Sequence, residues 1–164
     1  MNSRPLKLVF DTNVWLDIFL SSRSGHASSL AAFDVAAAQG SMVLCSFSSL
    51  KDTYCLVRSI LKRQARDEGE LTEADALAID RIAWSCVDYM IQHANPIGAD
   101  LSGAWIASKL RSMHGDFGDD LVIAAVQRAK ADYLVTNDEK LLSHAPVAAI
   151  SVSDAFSLLN SHAD

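Results

Sequence analysis

Short, largely apolar runs alternate along the chain with longer segments in which apolar residues recur every three or four positions. The short runs predict four strands, at 6–10, 42–45, 132–136 and 147–152. The longer segments predict helices at 14–20, 27–39, 48–66, 72–93, 100–113, 119–130 and 154–159. Strands that alternate with helices are typical of an α/β fold, so we expect a parallel sheet covered by helices on both faces.

Residues that favour helix ends support these boundaries. Thr72 followed by Asp75 resembles a capping box at the start of the longest helix, and the pair Asn95-Pro96 ends it. Asp100 can cap the next helix. Because no linker, repeat or low-complexity segment interrupts the pattern, we expect a single domain over 1–164 with a helical excursion at about 66–96.

Composition indicates a soluble globular protein, because 50% of the residues are hydrophobic and 21% are charged. Charged residues interrupt every apolar run before the roughly 20 residues that a membrane span requires. We therefore expect no membrane association and a cytoplasmic location. The net charge of −6 argues against a surface that binds nucleic acid throughout, but it allows a local basic strip.

The three cysteines, Cys45, Cys55 and Cys86, are far apart and lie in apolar segments. No C-x-x-C spacing suggests zinc, and an odd number of distant cysteines does not suggest a disulfide framework. We interpret them as small core residues of a protein in a reducing compartment.

Two predicted strands end in an aspartate that has threonine and asparagine beside it. Asp11 follows the first strand in FDTNV, and Asp138 follows the third in LVTND. Both can be explained as helix caps. They can also form a ligand site, because such sites gather at the carboxyl ends of parallel strands.

Further carboxylates can join these two. Asp116, Asp119 and Asp120 crowd the start of an almost entirely apolar helix, where the helix dipole accounts for one or two acids but not for three. Asp116 and Asp119 are spaced to converge on one ion. Asp52 lies opposite the apolar stripe of its helix, on either a cleft wall or an ordinary solvent face.

Clustered carboxylates repel one another unless a cation neutralises them, and ligands that are all oxygen suit Mg²⁺ or Mn²⁺. Such a site can activate water and stabilise a departing oxygen in phosphodiester hydrolysis. The sequence contains no His-Ser-Asp or Cys-His spacing and no phosphate-binding glycine loop that would offer competing chemistry.

The blocks LVFDTNVWLDIF and DFGDDLVIAAVQRAKADYLVTND, in this order, resemble the PIN-domain family of metal-dependent ribonucleases, especially its bacterial toxin-type members. The resemblance implies a three-layer α/β/α fold and an RNA substrate, with an antitoxin protein as a possible partner. It implies that Asp11, Asp119 and Asp138 bind the metal with Asp116 beside them, and that Asn13 and Thr136 support the site. The fourth catalytic carboxylate of the family is usually a glutamate on the helix after the second strand. Here Asp52 stands at that place, and its side chain is one methylene shorter. We also expect a homodimer.

Four basic residues lie on one narrow sector of the helix that carries Asp52, namely Lys51, Arg58, Lys62 and Arg66. They can guide RNA toward the acids, or they can form a solvated helix face.

Two other functions stay open at this point. One is a phosphoryl-accepting signalling receiver, although Asp11 stands alone after its strand and MVLCSF ends without an acid. The other is a catalytically silent PIN-like module that binds RNA or protein.

Overall fold

A single sheet of five parallel strands organises the computed structural model, which describes residues 4–112 and 115–162. The strands are β1 (Lys7–Phe10), β2 (Met42–Ser46), β3 (Asn95–Ile97), β4 (Tyr133–Val135) and β5 (Ala149–Ile150). Their order across the sheet is β3-β2-β1-β4-β5. The helices are α1 (Thr12–Phe19), α2 (His26–Ala38), α3 (Phe47–Glu68), α4 (Glu73–His93), α5 (Leu101–Leu110), α6 (Phe117–Ala129), α7 (Glu139–His144) and α8 (Val152–His162).

Strand β1 is central, and its residues are buried on both faces of the sheet. Val9 pairs in register with Leu44 of β2 on one side and with Leu134 of β4 on the other. Leu8 and Phe10 point to one face of the sheet and Val9 to the opposite face, in two separate core clusters. Continuous apolar strands are typical of a parallel sheet with helices on both faces. The predicted three-layer α/β/α architecture is therefore confirmed.

One layer contains α1, α2 and α8, and the aromatic side chains of α1 and α2 lie at the centre of the larger core. Trp15 is fully buried, with ring centroids 5.8 Å from Phe10 and 5.7 Å from Phe33. Its indole N–H donates to the carbonyl of Phe10 at 3.2 Å, which satisfies its only polar group. This packing fixes α1 at the end of β1. The opposite layer contains α5, α6 and α7, whose apolar residues cover Val9 and its neighbours.

The helical excursion is an α3–α4 pair that packs against α1. Val57, Ala83 and Cys86 form its buried seam together with Leu16 of α1. The predicted capping box is confirmed at the start of α4, where the side chains and backbone N–H groups of Thr72 and Asp75 bond reciprocally.

The fold differs from the sequence prediction at three elements. Strand β3 was not predicted, because Asn-Pro favours a break and proline is tolerated only at a sheet edge, where β3 lies. Helix α7 is not among the predicted helices, because six residues are too few to show a clear helical period. The helix predicted to reach Met113 ends at Leu110, and Met113 itself lies outside the described residues.

The prediction for the cysteines is correct for two of three. Cys45 and Cys86 are buried, whereas Cys55 is exposed. Cys55 lies on α3 beside Leu56 and Ser59, which are also exposed. The apolar residues next to Cys55 in the sequence therefore do not place it in the core. Among the described residues, none of the helices combines the length and the apolar character needed to cross a membrane.

Candidate active site

The predicted acids lie together at the point where the strand order of the sheet reverses, between β1 and β4. From β1 the chain proceeds to β2 and β3 on one side, and it later returns to β4 and β5 on the other. Ligand sites of doubly wound sheets lie at such switch points, outside the carboxyl ends of the strands. Asp11 ends β1 and Asp138 follows β4, and the backbone N–H of Asp11 donates to the carbonyl of Val135 at 3.0 Å. The two strand ends are therefore tied together under the site.

One cavity of about 250 Å³ is lined by five of the six acids that the sequence singled out. Its lining includes Asp11, Asp52, Asp116, Asp119 and Asp138, together with Asn13. Asp120 is 1% exposed and does not line this cavity, so the acid of α6 that faces it is Asp119. We call this space the acid cavity.

Thr136 organises the floor of the acid cavity through its hydroxyl group. This hydroxyl donates to Asp11 Oδ2 at 2.8 Å and accepts from Asn13 Nδ2 at 3.3 Å and from the backbone N–H of Asp138 at 3.1 Å. It is fully buried, so these bonds fix its orientation. Thr136 and Asn13 thus hold Asp11 and Asp138 in fixed relative positions.

Three of the acids cap helices and also face the cavity. Asp11 Oδ1 accepts from the backbone N–H of Thr12 at 2.6 Å at the start of α1. Asp116 Oδ1 accepts from the backbone N–H groups of Gly118 and Asp119 at the start of α6. Asp138 Oδ1 accepts in the same way from Lys140 and Leu141 at the start of α7. A carboxylate has about four acceptor positions, so capping through Oδ1 leaves Oδ2 able to bind a cation. The two interpretations that the sequence left open are therefore compatible.

Burial and mutual repulsion make the acid cavity unfavourable for negative charge. Burial first, and then the charges of Asp116, Asp11 and Asp138, together raise the pKa of Asp119 to about 6. Burial also raises the pKa of Asp11, although hydrogen bonds from Thr136 and Thr12 act in the opposite direction. A cation bound among these groups would reverse this penalty.

The donor set fits a magnesium or manganese ion. All the candidate ligands are oxygens, and Asn13 Oδ1 is a buried oxygen without a hydrogen-bond partner within 4–112 and 115–162. Over the same ranges, no three side chains of His, Cys, Asp or Glu stand close enough to hold one ion as they are. A Mg²⁺ ion usually keeps several waters and binds one or two carboxylates directly, so it would contact the remaining carboxylates through its waters.

Asp52 reaches the acid cavity from α3. A Cβ atom built on Gly118 would lie 3.9 Å from Asp52 Oδ2 and 3.1 Å from Asp116 Oδ1, so α3 and α6 approach closely here. Asp52 Oδ1 is 2.9 Å from the ammonium group of Lys51, which is exposed. Of the two alternatives that the sequence left open for Asp52, a cleft wall and a solvent face, this geometry favours the cleft wall.

The structure also places partners beside the predicted basic strip. Arg58 pairs with Asp80 of α4 and lies over the Tyr54 ring, and Lys62 is 4.0 Å from the same Asp80. With Lys51 paired to Asp52, three of the four basic groups are thus partly neutralised within the fold. The positions of Arg58 and Lys62 beside α4 could not be read from α3 alone.

Sequence reasoning did not single out the contact that joins α1 to α3 beside the site. Thr12 lines the acid cavity, and its hydroxyl donates to Ser49 Oγ at 3.0 Å. The serine-rich start of α3 was the available signal, but a serine pair shows no spacing pattern in the sequence.

Fold and site together define a doubly wound α/β protein with a carboxylate-lined cavity at its switch point. A receiver domain would have the strand order 2-1-3-4-5, which differs from the order found here. The family model described as PIN domain matches residues 7–140. The chain belongs to the PIN-domain family, as its motifs indicated.

Two solved structures share this fold at low sequence identity. A VapBC2 structure from Rickettsia felis, bound to a DNA fragment from their promoter, is similar with a TM-score of 0.63 at 13% identity, over 89% of this chain and 98% of that chain. VapC20 of Mycobacterium tuberculosis, described as a Sarcin-Ricin loop cleaving toxin, gives a TM-score of 0.56 at 13% identity, over 77% and 86% of the two chains. None of the curated proteins matches the chain.

Proposed function

We propose that this protein is a ribonuclease that hydrolyses RNA phosphodiester bonds in the acid cavity with Mg²⁺ or Mn²⁺ as cofactor. The observation that carries the proposal is the convergence of five carboxylates on one cavity at the switch point of a PIN-domain fold. Such a cluster is unfavourable by itself, and the pKa of Asp119 is raised accordingly. A cation is the simplest reason to maintain it.

In this proposal Asp11, Asp119 and Asp138 hold the metal, with Asp116 beside them. A bound ion of this kind lowers the pKa of water and stabilises negative charge on a phosphodiester. Asp52 faces the same cavity from α3 as the fourth catalytic carboxylate. Three observations support this assignment: the shared lining of the cavity, the fixed position of Asp11, and the acceptor positions left on the capping carboxylates.

Asn13 and Thr136 act as supports in the proposed site. The Thr136 hydroxyl fixes Asp11 and the backbone of Asp138, while Asn13 binds Thr136 through Nδ2 and keeps Oδ1 available. Supports of this kind typically change metal affinity or activity about 10–100-fold when they are lost.

RNA is proposed to approach along α3, over Lys51, Arg58, Lys62 and Arg66. The strip lies beside Asp52, and cations that neutralise phosphates provide most of the affinity for nucleic acid. The ion pairs with Asp52 and Asp80 lower its net charge, so its contribution should be smaller than that of four unpaired cations.

A toxin of a toxin–antitoxin pair is the cellular role we propose, because the structural neighbours are a VapBC2 structure and a toxin. An apolar groove of about 440 Å³ between α1, α2 and α4, lined by Phe19, Ile82 and Tyr89, offers a surface for a protein partner.

Expression of the chain should arrest growth, and co-expression of the neighbouring open reading frame should restore it. Growth unaffected by the chain would contradict the toxin role. The homodimer stays a prediction.

Cleavage of single-stranded RNA by the purified protein tests the enzymatic proposal. We expect products with Mg²⁺ or Mn²⁺, none with EDTA, and a loss of more than about 100-fold in Asp119→Asn, because losing a ligand should exceed losing its outer-shell support. Asp154→Asn is the matched control, since Asp154 is an exposed acid at the start of α8. RNA binding without cleavage would favour the catalytically silent module instead.

A further inference from the structure

A second cavity, of about 210 Å³, opens beside the acid cavity at the carboxyl ends of β2 and β3. It lies between α5, α6 and the start of α3. Six of its thirteen lining residues are glycine or alanine, namely Gly98, Ala99, Gly103, Ala104, Ala124 and Ala125. Side chains this short leave space that a flat ring can enter. We call this space the small-walled cavity.

An aromatic ring and a pair of hydroxyl groups stand along the small-walled cavity. Phe47 is 54% exposed although it is large and apolar, so its ring is available for stacking. The hydroxyl groups of Ser46 and Ser48 are 2.7 Å apart and either can be the donor. The pair can therefore present a donor or an acceptor to a ligand.

Arg128 and Asp100 hold the opposite rim in place. Arg128 donates to the carbonyl of Gly98 and to Asp100 Oδ2, each at 2.6 Å, and Asp100 caps α5 by accepting from the backbone N–H of Gly103. A Cβ atom on Gly103 would lie 3.3 Å from Arg128 Nη1, so glycine keeps room for this clamp. The cavity is pre-organised, which lowers the entropic cost of binding.

Helix α3 connects the small-walled cavity to the acid cavity. Ser48, Asp52 and Leu56 are spaced one turn apart on one side of α3. Ser48 lines the small-walled cavity, and Asp52 and Leu56 line the acid cavity. One turn rises about 5.4 Å, so groups bound in the two cavities are near neighbours along a flexible strand.

We propose that the small-walled cavity is a base-binding subsite for an unpaired nucleobase of the same RNA strand whose phosphate lies in the acid cavity. Proteins read single-stranded RNA by stacking splayed bases on aromatic rings and by hydrogen bonding their edges. Phe47 provides the ring, and the hydroxyls of Ser46 and Ser48 provide edge contacts. This subsite rests on the proposed ribonuclease function and deepens it by assigning where sequence preference arises.

Cleavage of a random-sequence single-stranded RNA pool, followed by sequencing of the fragment ends, tests the subsite. The wild type should prefer particular bases at one position beside the cut, and Phe47→Ala should lose this preference. On the best oligonucleotide, kcat/KM should fall about five- to a hundredfold, as expected for one lost base–aromatic stack. Phe156→Ala is the matched control, because Phe156 is an exposed phenylalanine on α8, in the other helical layer.

A second variant and an altered substrate separate stacking from a folding defect. Ala104→Leu should fill the slot and reduce the same preference, whereas Ala37→Leu at an exposed position of α2 should not. Removing the base at the preferred position should lower wild-type kcat/KM and leave Phe47→Ala unchanged. Cleavage by the wild type with no preference, or a preference that survives in both cavity variants, would overturn the subsite alone. No metal-dependent cleavage by the wild type would overturn the ribonuclease proposal and the subsite together.

Discussion

Two buried aspartates near α1 have opposite surroundings, although both are only 5% exposed. Asp17 receives the guanidinium of Arg23 at 2.6 Å, and its backbone carbonyl lies 2.8 Å from His26 Nδ1. Asp11 accepts hydrogen bonds from the backbone N–H of Thr12 and the hydroxyl of Thr136, which are both neutral donors. The charged groups that influence its pKa are the carboxylates of Asp138 and Asp116, which raise it. One carboxylate is neutralised inside the fold, and the other lies among like charges.

The difference separates a charge that the fold neutralises from one that we propose binds a cation. A buried charge is normally paired, because an unpaired charge loses its solvation without compensation. Around Asp17 the backbone approaches closely: a Cβ atom on Gly25 would lie 2.2 Å from Asp17 Oδ2, so the α1–α2 connection contacts the carboxylate directly. Around Asp11 the carboxylates surround a cavity, which provides room for a cation from solution.

Breaking the ion pair between Arg23 and Asp17 should give the largest change in stability. Arg23→Gln leaves Asp17 buried without its cation, and we expect a loss of about 2 kcal/mol in the free energy of unfolding. This is below the value of about 3–5 kcal/mol for a fully buried pair, because Arg23 is about one-third exposed. Urea denaturation measures it, with Arg63→Gln on the exposed face of α3 as control. Equal stability of the two variants would mean that Asp17 needs no partner.

Adding the proposed cation at Asp11 should give the next largest effect. Mg²⁺ at ten times its dissociation constant should stabilise the folded state by about 1.4 kcal/mol, or roughly 3–6 °C in melting temperature for a chain of this size. Asp119→Asn should show a smaller shift, because it removes a proposed ligand. A melting curve that does not change up to millimolar Mg²⁺ or Mn²⁺ would contradict the metal site.

Without metal, pH should act on the acid cavity in a defined direction. The pKa of Asp119 is about 6 in the folded state and about 3.8 unfolded, so the folded state binds more protons between these values. Stability is therefore lost as pH rises from about 4 to 6, and in EDTA the melting temperature should rise when pH falls from 7 to 5.5. Asp119→Asn should reduce this rise and should melt slightly higher than wild type at pH 7. The gain should stay below about 1 kcal/mol, because solvent screens a half-exposed group.

The sequence predicted features that depend on local pattern. The apolar runs of β1, β2 and β4 and the acids that follow β1 and β4 could be identified because a strand end and a polar residue are neighbours in the chain. Strand β3 could not, because its pairing partner Cys45 is about 50 residues away and its own Asn-Pro favours a break. The small-walled cavity was missed for a related reason. Alanines in α5 and α6 predict helix equally well whether they face a core or a slot.

Charge pairing across α3 and α4 was also beyond the sequence, since Arg58 and Asp80 are 22 residues apart. Asp80 neutralises part of the proposed RNA track in the same way as Arg23 neutralises Asp17. Removing the charge of Asp80 should give the smallest of the predicted effects. Asp80→Asn should release Arg58 and Lys62, raise RNA affinity in an Asp119→Asn background, and steepen the slope of log affinity against log salt by up to about 0.7. Stability should barely change, because exposed ion pairs contribute little. Asp88→Asn, at an exposed position two turns further along α4, is the control. An unchanged salt slope in Asp80→Asn would mean that the RNA does not pass over Arg58 and Lys62.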